Sequence, residues 1–536
     1  LESGDSLQEK LFKHPSRNRA FTRQTERTHA RGTPSPANRK GSPFGFRETD
    51  GARLGLRETI RAAAGRAAAP GDPGTHFASG RGPERAKQAF VTIHFARDNH
   101  INLIVTRGKE QLRMGSGKIH RFMQGVFKGA AFAAGVAVLA SSAHAADPKF
   151  PTSAVNTTGL NVTDDVVTVG QLHSVSGTMA LSETGSVEAE RLAISQINAA
   201  GGVLGRKIKI VQEDGASDWP TFAEKAAKLL EQDKCASVFG CWTSASRKAV
   251  LPVFEKDNGM LYYPTFYEGL EASKNVIYTG QEATQQIIWG LNWANKEKGC
   301  KTFFLIGSDY IWPRTSNKIA RFHIERYLEG CRVVGEEYYP LGYTEFQSLI
   351  NKVKLARPNC IYSIIVGGSN VSWYKQLKGA GITGASLAKR KQILLTISTT
   401  EDEIRGIGGE NVVGFFACMK YFQSLDNDNN KAFVAAFKAM YGADSVIGDV
   451  SQAAYLGPWL WKATVEKAGS FDIDKVAAAS PDVEFKGAPE GYVRIHKNHH
   501  LWSKARIGEM RADGQFDVIA ESPSLIEPDP FPKGYQ

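Results

Sequence analysis

From Val166 to Thr396, short apolar runs of β character alternate with segments of helical periodicity. That alternation restricts the chain to mainly parallel sheets with helices on both faces. Val166–Leu172, Lys207–Glu213, Ala236–Gly240 and Met260–Tyr263 read as strands. Between them Ser186–Ala199, with Val187, Leu192, Ala193 and Ile197 on one face, Phe222–Gln232 and Ser244–Lys256 read as helices. After Val276–Thr279 a second series runs through helix Thr284–Lys296, strand Thr302–Ile306, helix Arg314–Leu328, strand Arg332–Tyr338, helix Glu345–Ala356, strand Ile361–Val366, helix Val371–Gly379 and strand Ile393–Thr396. Val412–Tyr421 adds a strand, Asn430–Tyr441 and Ser451–Lys467 add helices, and 484–521 reads as short strands and turns that return to complete the lobes. The expected fold is α/β: two doubly wound lobes joined by a hinge of several crossover segments. Lobe 1 takes 166–282 plus 413–483 and lobe 2 takes 283–412 plus 484–536. Strand carboxyl ends of the two lobes then face each other across a ligand cleft.

The front of the chain is different. The 536 residues carry a net charge of +11, yet positions 1–145 hold 24 Lys/Arg against 11 Asp/Glu, which leaves the remainder slightly acidic. The folded part therefore offers no electrostatic case for binding nucleic acid. Residues 1–113 are Arg-rich and punctuated by Gly, Pro and short alanine runs, and are expected to be a disordered extension or translation from upstream of a start at Met114, the first methionine. From Met114, Lys118, Arg121 and Lys128 precede the apolar stretch Gly129–Ala140 and the small-residue site Ala143-His144-Ala145, the pattern of a signal peptide over 114–145 cleaved after Ala145. A flexible leader at 146–165 follows. No later run is long and apolar enough for a membrane span, so the expected product is exported, periplasmic and not membrane-embedded. Cys300 and Cys331 each open a strand with one helix between, and a Cys300–Cys331 disulfide is expected.

The loops after the strands hold His173-Ser174-Val175-Ser176-Gly177-Thr178, Cys241-Trp242-Thr243-Ser244, Pro264-Thr265-Phe266-Tyr267-Glu268, Ser308-Asp309-Tyr310-Ile311-Trp312, Gly367-Gly368-Ser369-Asn370 and Ser398-Thr399-Thr400-Glu401. Hydroxyls and aromatics recur there, with few charges, a lining suited to a small polar, mostly neutral ligand. Taken singly, Ser244 and Thr399 occupy positions that helix N-caps would also fill, and Trp242, Tyr263 and Trp312 would serve as core aromatics. Their common location at strand carboxyl ends is what makes the functional case.

Signals of catalysis and of cofactors are poor. There is no G-x-S-x-G elbow, H-E-x-x-H pair or complete P-loop. His496-x-x-His499-His500 lies among Lys497, Asn498 and Lys504 and reads as a turn, and Asp426-Asn427-Asp428-Asn429-Asn430 lacks the glycine and closing glutamate of a calcium loop. A non-enzyme without metal or cofactor is the expectation.

Four stretches carry a family resemblance: Val169-Gly-Gln-Leu-His-Ser-Val-Ser-Gly-Thr178, Gly240-Cys-Trp-Thr-Ser-Ala-Ser-Arg-Lys-Ala249, Tyr262-Tyr-Pro-Thr-Phe-Tyr-Glu-Gly269 and Gly307-Ser-Asp-Tyr-Ile-Trp-Pro-Arg-Thr-Ser-Asn317. They resemble the urea and short-chain amide branch of the type I periplasmic binding proteins, the substrate-binding components of ABC transporters, over roughly Val166–Pro532. The resemblance implies that Ser244 and Thr265 hydrogen-bond the ligand, Tyr263 and Tyr310 close over it, and Trp242 and Trp312 wall the pocket. Ser369 joins them on a looser match, and Glu401 stands where amino-acid-binding relatives hold an α-ammonium group. Amide-sensing relatives look to carry Tyr at the positions of Trp242 and Trp312, and the bulkier indoles favour urea over longer amides. The implied partners are urea or a small amide and the transporter permease. The alternatives are a branched-chain amino-acid receptor and an amide sensor that regulates a partner protein.

Overall fold

The computed structural model describes residues 90–95, 101–107, 110–113 and 150–535. The first three segments form an antiparallel sheet of their own, β1 (Phe90–Phe95), β2 (Ile101–Arg107) and β3 (Glu110–Arg113), in the order β1-β2-β3. This corrects the expectation of a disordered extension for these three segments: the apolar run Ile101–Val105 has a partner in the β-branched and aromatic run Phe90–Phe95. The expected signal peptide at 114–145 lies outside the described residues.

Residues 150–535 carry the predicted lobes. In the first, β4 (Val166–His173), β5 (Lys207–Asp214), β6 (Val238–Gly240), β7 (Leu261–Tyr263) and β8 (Val276–Tyr278) form a parallel sheet in the order β5-β4-β6-β7-β8. Helices Ala180–Ala199 and Asp449–Ala468 pack together on one face, and Trp219–Ala227 and Ser244–Lys256 on the other. In the second lobe, β9 (Thr302–Ser308), β10 (Arg332–Tyr339), β11 (Cys360–Ile364), β12 (Ile393–Thr396) and β13 (Phe416–Met419) repeat the arrangement as β10-β9-β11-β12-β13. Each order reverses direction beside its first strand, β4 or β9, the switch point at which open α/β sheets bind ligands.

The lobe boundaries differ from those expected. The strand Phe416–Met419 pairs with β12, so the second lobe extends through Met419 instead of ending at 412. The short sheet β14 (Glu484–Phe485), β15 (Val493–Ile495) and β16 (Leu501–Trp502) packs its Val493, Ile495 and Leu501 into the first lobe's core, and His500 bridges to Tyr278. The chain returns only at β17 (Arg506–Met510) and β18 (Phe516–Glu521), which close the second sheet in antiparallel fashion. Apolar periodicity marks such strands but not the sheet they join.

Three crossovers result, near 279–283, 420–421 and 503–505, and three glutamines stitch them. Gln281 donates to the Lys504 carbonyl at 3.1 Å, Gln285 to Leu501 at 2.8 Å and Ile526 at 3.0 Å, and Gln286 to Cys418 at 2.9 Å. Nor does the leader hang loose over 150–165. The fully buried Arg206 guanidinium donates to the carbonyls of Phe150 (2.8 Å), Thr163 (2.8 Å) and Leu204 (2.6 Å), while Asp472 accepts from Thr157 and Thr158. A buried guanidinium needs its donors filled, and this segment fills them.

The expected Cys300–Cys331 disulfide is not formed; all six cysteines are free thiols. The two residues just precede paired strands, Arg332 lying beside Thr302, but Cys300 turns its thiol inward to Cys360, whereas Cys331 Sγ lies 3.6 Å from the Cys300 carbonyl oxygen. Adjacent strand starts bring backbones together without aiming Cβ vectors at each other.

Candidate functional site

Each lobe delivers its loops to the side where the lobes touch: the Gly368 N–H donates to the Thr178 carbonyl at 3.3 Å across the interface. In the first lobe Thr243 caps the helix Ser244–Lys256, its hydroxyl accepting from the Ser246 N–H at 2.9 Å. Ser244 is thereby released from capping. Its hydroxyl donates to Glu268 at 2.6 Å and accepts from Arg247 at 3.1 Å. Thr400 likewise caps the helix Glu401–Ile407 in a reciprocal box with Glu403, leaving Thr399 to meet the Tyr374 hydroxyl at 3.0 Å.

Beneath Ser244 lies a closed charge network. Arg247, fully buried, pairs with Glu271 at 2.8 Å and Glu268 at 3.3 Å and lies over the rings of Tyr263 (4.7 Å) and Tyr267 (4.3 Å). Burial would raise the Glu271 carboxyl, but Arg247 and Lys248 hold it down to about 2. The Tyr263 hydroxyl donates to the Trp242 carbonyl at 2.7 Å, which fixes the loop after β6.

Above the network a line of aromatic rings crosses from lobe to lobe. Trp242 meets Phe266 edge-on at 5.8 Å, Phe266 meets Trp312 at 5.4 Å, Trp312 meets Tyr310 at 6.4 Å, and Tyr310 meets Trp219 at 6.4 Å. Trp242, Phe266 and Trp219 belong to the first lobe, Trp312 and Tyr310 to the second. The structure therefore brings Trp242, Ser244, Tyr263, Tyr310 and Trp312 into one neighbourhood, with Thr265 in the same loop as Phe266. Ser369 begins the helix after the Gly367-Gly368 contact. Glu401 stands apart, against the hinge: its Oε1 accepts from the Gln423 N–H at 2.8 Å, and burial, with Asp402 and Asp449 nearby, pushes its carboxyl well above the usual range.

The polar atoms of this neighbourhood share a property. Trp242 Nε1, Thr265 Oγ1, Tyr310 OH, Trp312 Nε1 and Ser369 Oγ are buried without a hydrogen-bond partner in the protein, as is Glu401 Oε2 away beside the hinge. An unsatisfied buried polar group costs about 1–3 kcal/mol, and others are scattered through both lobes, Tyr362 OH, Trp373 Nε1 and Trp461 Nε1 among them, so it is the grouping of these atoms beside the interlobe aromatic line that singles them out. Asn370 extends it: fully buried on the first turn of its helix, it has neither its carboxamide oxygen nor its nitrogen bonded. Asn370 and Phe266 lay inside the loops singled out from sequence without being chosen, since neither a lone amide nor a phenyl ring signals chemistry. Asp309, in contrast, points outward to Arg314 at 2.6 Å. Among the described residues no cluster of His, Cys, Asp and Glu could hold a metal ion, and no helix is long and apolar enough to cross a membrane.

Two doubly wound lobes that meet across a polar, aromatic interface have the architecture of the two-lobed binding proteins. Residues 167–536 match the periplasmic binding protein domain family, and the chain belongs to that family. Its relatives include Leu/Ile/Val-binding protein homolog 7 of Brucella suis, 23% identical over 379 residues that cover 67% of this chain and 92% of that one. The fold is shared with a solute-binding protein of an R. palustris ABC transporter in complex with 4-hydroxybenzoate (22% identity, TM-score 0.61, covering 68% of this chain and 98% of that one). It is shared also with a Streptococcus pneumoniae branched-chain amino acid transporter substrate-binding protein in complex with isoleucine (20% identity, TM-score 0.58, covering 68% and 100%). A separate match, to limonene hydroxylase of Geobacillus stearothermophilus, is 35% identical over 125 residues and spans less than a quarter of either chain (23% of each).

Proposed function

We propose that this protein is a periplasmic receptor that captures urea, or a short-chain amide, by closing its lobes and hands it unchanged to the permease of an ABC transporter. The observation that carries the reading is the set of buried, partnerless polar atoms around the aromatic line, none of them belonging to a cation. Urea is flat and presents one carbonyl acceptor and four N–H donors, so a site must offer it both donors and acceptors or lose several kcal/mol on burial. The indole N–H groups of Trp242 and Trp312 and the hydroxyls of Thr265, Tyr310 and Ser369 supply donors. Hydroxyl oxygens and the Asn370 carboxamide supply acceptors. Ser244 and Tyr263 act one layer back, holding the loops on which these atoms ride.

Charge argues in the same direction. Arg247 is already committed to two carboxylates, so a ligand carboxylate would meet no unpaired cation there. An α-ammonium group would need an ionised partner, and Glu401 is held toward its neutral form by burial. The relatives' names keep a branched-chain amino acid as the competing ligand. Calorimetry of the purified chain with urea, acetamide and leucine decides between them. Heat with urea or acetamide and none with leucine is the expected outcome, and the reverse overturns the reading.

A further inference from the structure

One contact between the lobes is built with unusual care, and it involves no residue assigned to the ligand. The 20-residue helix Asp449–Ala468 of the first lobe begins at Gly448, which has no side chain to cap it. The carboxylate of Asp449 is occupied elsewhere, accepting from the N–H groups of Lys420 at 2.9 Å and Tyr421 at 3.0 Å in a crossover. The cap comes from the other lobe: Asp402 Oδ2 accepts from the Gly448 N–H at 2.9 Å and from the Ser451 hydroxyl at 2.7 Å. Asp402 is spared for this because Thr400 and Glu403 cap its own helix reciprocally.

The seat for Asp402 is cut from glycine. A Cβ at Gly185, inside the helix Ala180–Ala199, would collide with Ser451 Oγ and Asp402 Oδ1, and one at Gly448 would collide with Thr400 Oγ1 and Asp402 Oδ2. Glycine in a helix interior costs about 1 kcal/mol relative to alanine, a cost offset here by the close approach it permits.

We infer that Asp402 is a positioning residue, a latch that caps a first-lobe helix from the second lobe and so stabilises the closed receptor around whatever solute fills the cleft. The inference rests on the two-lobed fold and not on the identity of the ligand. Opening the cleft withdraws the carboxylate from its seat and leaves the helix start to water. Latching therefore slows ligand escape without touching the ligand.

The test uses the full chain, with dyes on cysteines introduced by E224C in the first lobe and K354C in the second, both exposed, in a C331S background. Without ligand, Asp402→Ala should move the interlobe distance distribution toward longer, open values, Asp402→Asn, which keeps an acceptor, should return it toward wild type, and Ser451→Ala should shift it part of the way. With urea as probe, dissociation of Asp402→Ala should quicken roughly five- to tenfold, the scale of a lost helix cap, with association unchanged. Unchanged distances in both Asp402→Ala and Ser451→Ala, or a fall in melting temperature with no change in distance, overturns the latch. Should urea fail to bind the wild type, the ligand reading falls while the distance comparison still decides the latch.

Discussion

Single atoms carry the argument about the ligand. Thr265 Oγ1 is buried beside the Tyr263 hydroxyl without a hydrogen bond of good geometry, so Thr265→Val removes a poorly satisfied hydroxyl at nearly constant volume. Its expected effect splits two measurements: the melting temperature holds or rises, while urea affinity by calorimetry falls roughly fivefold, the value of about one hydrogen bond. Trp312→Phe keeps an aromatic wall and deletes an indole N–H, and should weaken urea binding by a similar factor while leaving the fold intact. A variant that loses stability but not affinity would show the side chain to be core and nothing more. At this scale the sequence was legible in kind but not in duty. A hydroxyl run such as Thr243-Ser244 announces a helix start, yet which hydroxyl caps and which is left for other work depends on a backbone angle that no residue name reveals. Asn370 escaped notice because its significance lies wholly in having both amide atoms unmatched, a fact of packing.

Elements explain why those atoms stay where they are. The helix Ser244–Lys256 is anchored through Arg247 to Glu268 and Glu271, so Arg247→Met should destabilise the protein by about 3–5 kcal/mol in a denaturant titration, Glu268 having lost its cation and Glu271 being left with Lys248 alone. At the end of β4, His173 bonds Glu190 at 2.8 Å and lies 3.5 Å from Glu183. Burial disfavours its imidazolium, but the two glutamates outweigh burial and raise its pKa to about 10. A folded-state pKa above the unfolded value means stabilisation fully present below about pH 6.5 and lost as pH climbs through 10. Melting temperature should accordingly fall between pH 7 and 10, and Glu190→Gln should move that fall to lower pH; a flat wild-type profile would refute the assignment. Most strands and helices of the two lobes could be read from apolar periodicity. The strand Phe416–Met419 and the sheet formed by β14, β15 and β16 were placed in the wrong lobe, because a sheet's membership is decided by pairings distant in sequence.

Over the molecule as a whole, the alternation of strands and helices suffices to predict two doubly wound lobes, since few other arrangements bury such elements. The resemblance of four loops pointed to a narrower ligand class than the fold can. Export remains the proposal with the simplest test: N-terminal sequencing of the protein recovered from the periplasm should begin at Ala146, and an intact leader in a cytosolic fraction would contradict it. The glutamine stitches at the crossovers bear on how the two lobes can move. Gln281, Gln285 and Gln286 join the linking strands side to side through carbonyls on neighbouring crossovers. Tied in this way, the links should resist twisting and sideways sliding and restrict any opening of the lobes to a swing about one axis. On the proposed function, a captured solute would then have little looseness of its host left to freeze out, and the entropy saved would count toward affinity.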